Sequence, residues 1–447
     1  MIATDKLSLN IPDTTKPRIV IIGGGFAGAN LVKNLRGSAF QIVLLDRQNY
    51  NGFWPLLYQV ATAGLEPDAI AEPLRKMFGR GFNDFHFRLV RVTGIDTVNK
   101  KVSTIIGNLA YDFLIIATGT KSNYFGNEQL KKFSLPLKRM SHALDIRSQL
   151  LQCFEQAAIT RNDSIKQSLI NIVIAGAGPT GVELAGALSE MRRYILHRDY
   201  PLVDFTRMKI ILVEGLDRVL PQMSLQSGTK AHHYLQQMGI TILLHTLVVS
   251  YDGEIVALDN GEQIHTSTLI WAAGVTGIIP AGFPEKAVQR GRILVNQFSQ
   301  VWGMKDVFAI GDIALMKARQ YPNGHPGIAQ PAIQQGTHLA RNLKRLLKQK
   351  PLKPFRYFNK GTLAIIGRNR AVADFPGKVH LSGFFVWLIW IIVHICYSVG
   401  FRNKLLVISN WVYRFFTYQR GNRLIIRPFL RNNNEKEQEF VKEYLQE

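Results

Sequence analysis

One pattern constrains the fold of this chain more than any other, because it occurs twice. Residues 18–22, RIVII, are an apolar, β-branched run of the kind that forms a strand buried on both faces. GGGFAG follows without a break, giving Gly23-x-Gly25-x-x-Gly28. Next come a helical stretch, ANLVKNLRG, and a second apolar run, FQIVLLD, ending on Asp46, 18 residues beyond Gly28. Strand, glycine turn, helix, strand and terminal acid are the complete βαβ setting for a dinucleotide. Gly23 permits the tight turn, Gly25 lets backbone approach a pyrophosphate, and Gly28 lets the helix pack against the strand. The helix N-terminus, opened by Phe26 and Ala27, offers N–H groups and a positive dipole end to phosphates. Asp46, followed by Arg47, is spaced to accept hydrogen bonds from a ribose.

The pattern recurs at 170–214. INIVIAG reads as a strand, GAGPTG supplies Gly176-x-Gly178-x-x-Gly181 with Pro179 and Thr180 in the turn, and VELAGALSEMRRYI reads as the helix. KIILVE then ends in Glu214, 33 residues beyond Gly181, so RDYPLVDFTRM is expected to form an extra loop. An acid at Glu214 bonds a ribose 2′-hydroxyl and repels a 2′-phosphate, which favours NADH over NADPH; Arg218 nearby argues the other way.

Two further strands carry polar ends: YDFLIIATG, with Thr118 and Gly119, and VFAIGD, with Gly311 and Asp312. They resemble the elements that close the FAD domain of two-dinucleotide flavoproteins. WAAG, with Ala273 and Gly274, resembles the return from the NAD domain. The resemblance implies non-covalent FAD on the first unit and NADH on the second. The expected fold is α/β, with two Rossmann-like dinucleotide-binding domains: a discontinuous FAD domain (17–145 and 276–375) with an inserted NADH domain (146–275). A C-terminal amphipathic helical membrane-anchoring region (376–434) follows, with tails at 1–16 and 435–447.

Cysteine usage narrows the chemistry. Cys153 and Cys396 are the only two, which excludes a disulfide framework, a CxxC redox pair and a structural zinc site. No cysteine lies in DRQNYNGFWPLLYQVATAG after the first fingerprint, where a disulfide reductase needs a pair. A sulfide:quinone reductase also needs reactive cysteines; a ferredoxin reductase stays open on architecture alone. The histidines show no metal-binding spacing, and no EF-hand loop is present, so neither a metal nor calcium dependence is expected.

A more specific resemblance runs from about residue 17 to 431. FWPLLYQVATAGLEP, GAGPTGVELAGAL, AQPAIQQG, LAIIGRNRAVAD and the long stretch from GFFVWLIWIIVHICYSVG to GNRLI are similar to type II NADH dehydrogenases. These are single-subunit, non-proton-pumping NADH:quinone oxidoreductases that sit monotopically on a membrane. The resemblance implies hydride transfer from NADH to FAD, then two electrons to a membrane quinone. It implies that Ala329 and Gln330 approach the flavin, that Gln330 and Gln334 line the quinone pocket, and that Glu183 faces nicotinamide and quinone. An amide can donate to a carbonyl bearing developing charge, and a buried carboxyl can relay protons. At helix positions such as these, Gln also caps and Glu also favours the dipole. Lys378 either sets a positive charge near the flavin or faces the membrane.

The segment 383–400, GFFVWLIWIIVHICYSVG, carries no charge and is just long enough to be tested as a spanning helix. Trp387, Trp390, His394 and Tyr397 fall on one helical face, which reads as an interfacial stripe. In the following helix Leu405, Ile408, Trp411, Val412 and Phe415 share one face, and Asn410, Arg414 and Thr417 another. Between Phe375 and Asn434 there are eight Lys or Arg and no acid. Basic residues near an anionic leaflet contribute about 1 kcal/mol each, so these helices are expected to attach monotopically to an anionic lipid surface. The resemblance puts that surface on the cytoplasmic side, or the matrix side in an organelle. The net charge of +22 carries no nucleic-acid signature and needs no such partner. Burial of the two helices against each other or at a homodimer interface, and a true crossing, are the alternatives for this region; a non-catalytic dinucleotide-sensing membrane protein is the alternative for the whole chain.

Overall fold

The strand Arg18–Ile22 lies at the centre of a five-stranded, wholly parallel sheet in a computed structural model, which describes residues 7–430 except 80, 83, 399 and 418–420. The terminal segment 435–447 and the first six residues lie outside the described residues. The sheet order is Val307–Ala309, Phe113–Ile116, Arg18–Ile22, Gln41–Asp46, Phe85–Leu89. Its central strands are buried on both faces, as their uninterrupted apolar runs require. The helices Phe26–Leu35 and Ala329–Leu346 pack together so closely that a Cβ on Gly336 would lie 2.3 Å from the Ala27 carbonyl oxygen.

The second unit repeats the design. Its parallel sheet runs Leu135–Pro136, Leu269–Trp271, Ile172–Ala175, Ile210–Val213, Thr241–Leu243. The helix Pro179–Met191 follows the Ile172–Ala175 strand and continues through a π-turn, Arg192–Leu196, into the loop expected before Glu214. A three-stranded antiparallel sheet, Thr362–Gly367, Arg370–Phe375 and Val379–Ser382, packs on that helix. The contact is tight because residue 186 is glycine: a Cβ there would sit 1.7 Å from the Ile366 carbonyl oxygen.

The compact units divide the chain elsewhere than the sequence suggested. One comprises Met1–Gly52, Ala71–Lys121 and Val275–Asn359; the other comprises Phe53–Ile70, Ser122–Gly274 and Lys360–Glu447. The expected break at 145/146 falls inside one continuous helix, Met140–Ile159. Before that helix, Leu135–Pro136 already pairs with the second sheet, and Trp271 Nε1 donates to the Asn123 carbonyl at 2.9 Å. Residues 360–375, expected with the first unit, instead form the strands that pack on Pro179–Met191.

The apolar segment forms a helix of only 14 residues, Phe384–Tyr397. At 1.5 Å per residue it is about 21 Å long, short of the ~30 Å hydrocarbon core. Among the described residues no helix is long and apolar enough to cross a membrane. The next helix is Phe401–Thr417. The aromatic stripe is divided: Tyr397 is exposed, Trp387 and His394 are half-buried, and only Trp390 is fully enclosed. Trp390 is buried, stacked on His394 at 3.9 Å between ring centres and 5.5 Å from Trp411. The solvent-exposed face is mainly apolar, with Phe385, Leu388 and Ile392, then Phe401, Leu405, Ile408 and Val412, beside Tyr397 and Tyr413. Arg414, expected on an outward basic face, points inward and donates to Gln59 Oε1 and the Gly64 carbonyl, both at 3.2 Å.

Candidate active site

The two glycine cradles are built alike. Gly23 has φ 107°, and a Cβ there would lie 2.3 Å from the Ala117 carbonyl oxygen, so the turn admits no side chain. Asp46 reaches back into the turn, accepting from the Gly24 N–H at 2.5 Å and the Gln48 N–H at 2.8 Å. Burial raises its carboxyl pKa, against those two bonds. In the second unit Glu214 makes the matching contacts, with the Ala177 N–H at 2.7 Å and the Leu216 N–H at 3.1 Å. The N-caps Gly25 and Gly178 make no side-chain cap bond, and a Cβ on either would meet nothing within 4 Å. Each cradle therefore leaves open space before a helix N-terminus, which fits a pyrophosphate. Arg218 donates to the Pro221 carbonyl at 3.2 Å.

Around the first cradle, the Thr118 hydroxyl donates to the Ile278 carbonyl at 2.6 Å, and Gly119 and Gly311 adopt positive φ. Gly311 donates its N–H to Gln335 Oε1 at 2.7 Å. Phe26, Ala27 and Gly28 begin the first helix and Arg47 is exposed; Asp312, Ala329 and Gln330 are half-buried around the later helix start. The Gln334 amide is engaged by backbone. It brackets Phe358, donating to that residue's carbonyl at 2.9 Å and accepting from its N–H at 3.0 Å. The neighbouring helix position, Gln335, was missed by sequence reasoning, and it is the glutamine that fastens the Gly311–Asp312 turn. Lys378 stands exposed in the turn before Val379–Ser382, at φ 62°, and does not join the cavity around Glu183.

That cavity lies wholly within the second unit and measures about 270 Å³. Glu183, 9% exposed, points into it from the first turns of Pro179–Met191. Burial holds its carboxyl pKa well above the usual range, despite a hydrogen bond from the Ile365 backbone. The short helix Leu57–Ala61 contributes Tyr58 and Gln59. Gln59 Oε1 is fixed by Trp411 Nε1 at 2.9 Å and by Arg414, leaving Gln59 Nε2 to donate to the Tyr58 hydroxyl at 2.9 Å. Trp387, Trp390, Ile391, Ile408 and Phe415 close the remaining sides with apolar surface. The Trp390 indole N–H, fully buried, has no acceptor among the described residues. Tyr58, Gln59 and Glu190 were not singled out from sequence, and Arg414 was expected to face outward. The available signal was the seven-residue spacing of Glu183 and Glu190, which sets both on one helical face.

Residues 17–336 match the family model described as pyridine nucleotide-disulphide oxidoreductase, and 359–419 match the NDH2 C-terminal domain. Two curated proteins of Mycobacterium tuberculosis, the type II NADH:quinone oxidoreductases Ndh and NdhA, are each 34% identical. Each alignment covers 91% of this chain and, respectively, 90% and 89% of the relative. The chain belongs to the type II NADH:quinone oxidoreductase family. Within that family, NDH2 of Plasmodium falciparum, solved in complex with NADH, shares the fold at a TM-score of 0.84 and 19% identity, covering 92% of this chain and all of that one. A sulfide:quinone oxidoreductase of Aquifex aeolicus shares it at 0.68 and 18% identity, with 96% of both chains covered. In this family member Cys153 is buried beside Gln149 and Thr268 and Cys396 is exposed, so no cysteine pair stands ready for sulfide chemistry.

Proposed function

We propose that this chain oxidises NADH and reduces a membrane quinone without pumping protons, and that the quinone head-group occupies the cavity at Glu183. Asp46, Gly25 and the Gly311–Asp312 turn would hold FAD, and Glu214, Gly178 and Gly274 would hold NADH. Bound FAD supplies acceptance of a hydride and release of two electrons. The observation that carries the quinone reading is the cavity itself: apolar aromatic walls around one buried carboxyl and one unsatisfied indole N–H. A quinone is a flat apolar ring bearing two acceptor oxygens, and these two groups could satisfy them.

The exposed apolar faces of Phe384–Tyr397 and Phe401–Thr417 support attachment to a lipid surface. Phe385 is 77% exposed, Phe401 78% and Phe416 76%. Burying such side chains contributes roughly 1.5–3 kcal/mol each, so a handful suffices without a crossing. Lys404 adds attraction to an anionic leaflet, whereas the Arg402 charge is paired with Asp68 at 3.1 Å. We assign that leaflet to the cytoplasmic side, or the matrix side in an organelle.

Filling the cavity tests the reading. Ala187→Phe, one turn beyond Glu183 on the cavity wall, is expected to raise the quinone KM at least tenfold. NADH oxidation with ferricyanide, which needs no such pocket, should stay within twofold. An unchanged quinone KM in a folded, FAD-loaded variant would remove the quinone from this cavity.

A further inference from the structure

NADH gives up two electrons and one hydrogen nucleus, whereas a quinone takes up two electrons and two protons. Each turnover therefore draws one proton from water, which has to enter the cavity through its few polar lining groups.

A second, polar cleft of about 1340 Å³ lies in the same unit, lined by groups including Arg192, Arg193, His197, Tyr234 and Arg370. Three residues line both spaces: Glu190, Tyr194 and Arg368. Glu190 lies two turns beyond Glu183 on the same helix, just before the π-turn that carries Tyr194; π-turns recur at functional sites. It accepts the Arg368 N–H at 2.6 Å. The enclosed Tyr58 feels the negative charge of both Glu183 and Glu190, and Arg414 feels that of Glu190.

We propose that Glu190, beside Tyr194, carries protons from the polar cleft into the cavity, an inference that rests on the quinone reading above. As the quinone takes two electrons, the Glu183 O–H breaks and an O–H forms on one quinone oxygen, while the other oxygen receives the hydrogen nucleus that NADH gave up. The Glu183 carboxylate then takes a proton passed on from Glu190, by way of Tyr58 or a water. The Glu190 carboxylate is reprotonated by water in the cleft, so one proton leaves solution per NADH. The groups facing Glu190 are Arg368 from the Thr362–Ser382 sheet, Arg414 from Phe401–Thr417, Tyr58 from Leu57–Ala61, and Tyr194 and Glu183 along its own helix. The Arg368 backbone N–H and the Arg414 guanidinium offset the charge Glu190 bears between transfers.

Glu190→Gln keeps an acceptor for the Arg368 N–H and removes the titratable proton. With a short-chain quinone its kcat is expected to fall at least tenfold at pH 8 and less at pH 6, with ferricyanide turnover within twofold of wild type. Ferricyanide takes electrons and no proton. Glu190→Asp should recover most of the quinone rate, and a small weak acid such as formic acid should restore part of it to Glu190→Gln. Equal loss with both acceptors, a change in KM alone, or an unchanged quinone kcat from pH 6 to 9 would overturn the proposal. Failure of the quinone reading is distinguishable, because it shows as an unchanged quinone KM in Ala187→Phe whatever Glu190→Gln does.

Discussion

Trp390→Phe separates what the cavity does for stability from what it does for its ligand. The indole is 1% exposed, stacked on His394, with its N–H unsatisfied. Phe retains most of the packing, so the lost ring area costs about 1–2 kcal/mol at the per-area rate for apolar burial. Against this, a buried donor left without a partner costs about 1–3 kcal/mol, and Phe removes that donor. The two terms are of similar size and opposite sign, so ligand-free stability should change by less than about 1 kcal/mol. Quinone binding loses one hydrogen bond worth about 1–1.5 kcal/mol, which raises the quinone KM roughly fivefold to tenfold.

The assay pairs thermal unfolding in detergent, without quinone, with steady-state kinetics on quinone and on ferricyanide. Trp390→Ala is the control. Its cost of about 3–5 kcal/mol in packing should lower both stability and quinone turnover. If Trp390→Phe kept the wild-type quinone KM, the indole N–H would not meet the quinone, and its burial without an acceptor would need another cause. A loss of stability as large as that of Trp390→Ala would refute the cancellation of the two terms.

Three further outcomes follow from the same geometry. Burial lowers the His394 pKa to about 4, opposed by its bond to the Trp390 carbonyl. Its neutral form therefore stabilises the fold above the unfolded value near 6.5, and that stability is lost as pH falls towards 4; about 3 kcal/mol should disappear in a thermal-shift series across that window. Glu183 has the opposite sign: its raised pKa stabilises the fold fully at pH 4 and progressively less as pH rises, so Glu183→Gln should unfold at higher temperature than wild type at pH 8 and lose quinone turnover at least tenfold. Phe385→Asp with Phe401→Asp should leave ferricyanide turnover intact and abolish flotation with anionic vesicles; retained flotation would assign the exposed face to something other than lipid.

Both dinucleotide cradles were legible in the sequence because their signal is local. Glycine spacing, strand and terminal acid lie within one βαβ unit; Asp46 and Glu214, expected to meet a ribose, accept from the N–H groups of their own turns. The division of the chain was not legible, because it depends on a two-residue strand, Leu135–Pro136, whose partner lies more than 130 residues away. Gln334 and Gln335 show the same limit on a finer scale. Adjacent positions on a helix diverge by about 100°, so one glutamine fastens Phe358 and the other Gly311, which no one-dimensional motif distinguishes. Glu190 escaped notice because an acid on a helix is ordinarily a solvated one, and only the fold brings Arg368 and Tyr58 to it.

The orientation of the C-terminal helices fits the proposed lipid surface better than it fits water. In water, a helix turns its apolar face inward, and aromatic residues with polar edges gather where protein meets solvent. If the outer medium is lipid, the apolar face gains nothing from the protein interior, and the groups that need hydrogen-bond partners must find them inside. The observed orientation follows that rule. Trp411 donates to Gln59, His394 bonds the Trp390 carbonyl and Arg414 bonds Gln59 and Gly64, while Phe385, Ile392, Phe401 and Leu405 face outward. On a purely water-facing protein, that outward set would be an unexplained apolar patch built from two consecutive helices. The same orientation accounts for the cavity. Turning the hydrogen-bonding aromatics inward builds a pocket around Glu183 whose outer wall consists of the very helices proposed to lie in the lipid, so an apolar acceptor need not cross water to reach it.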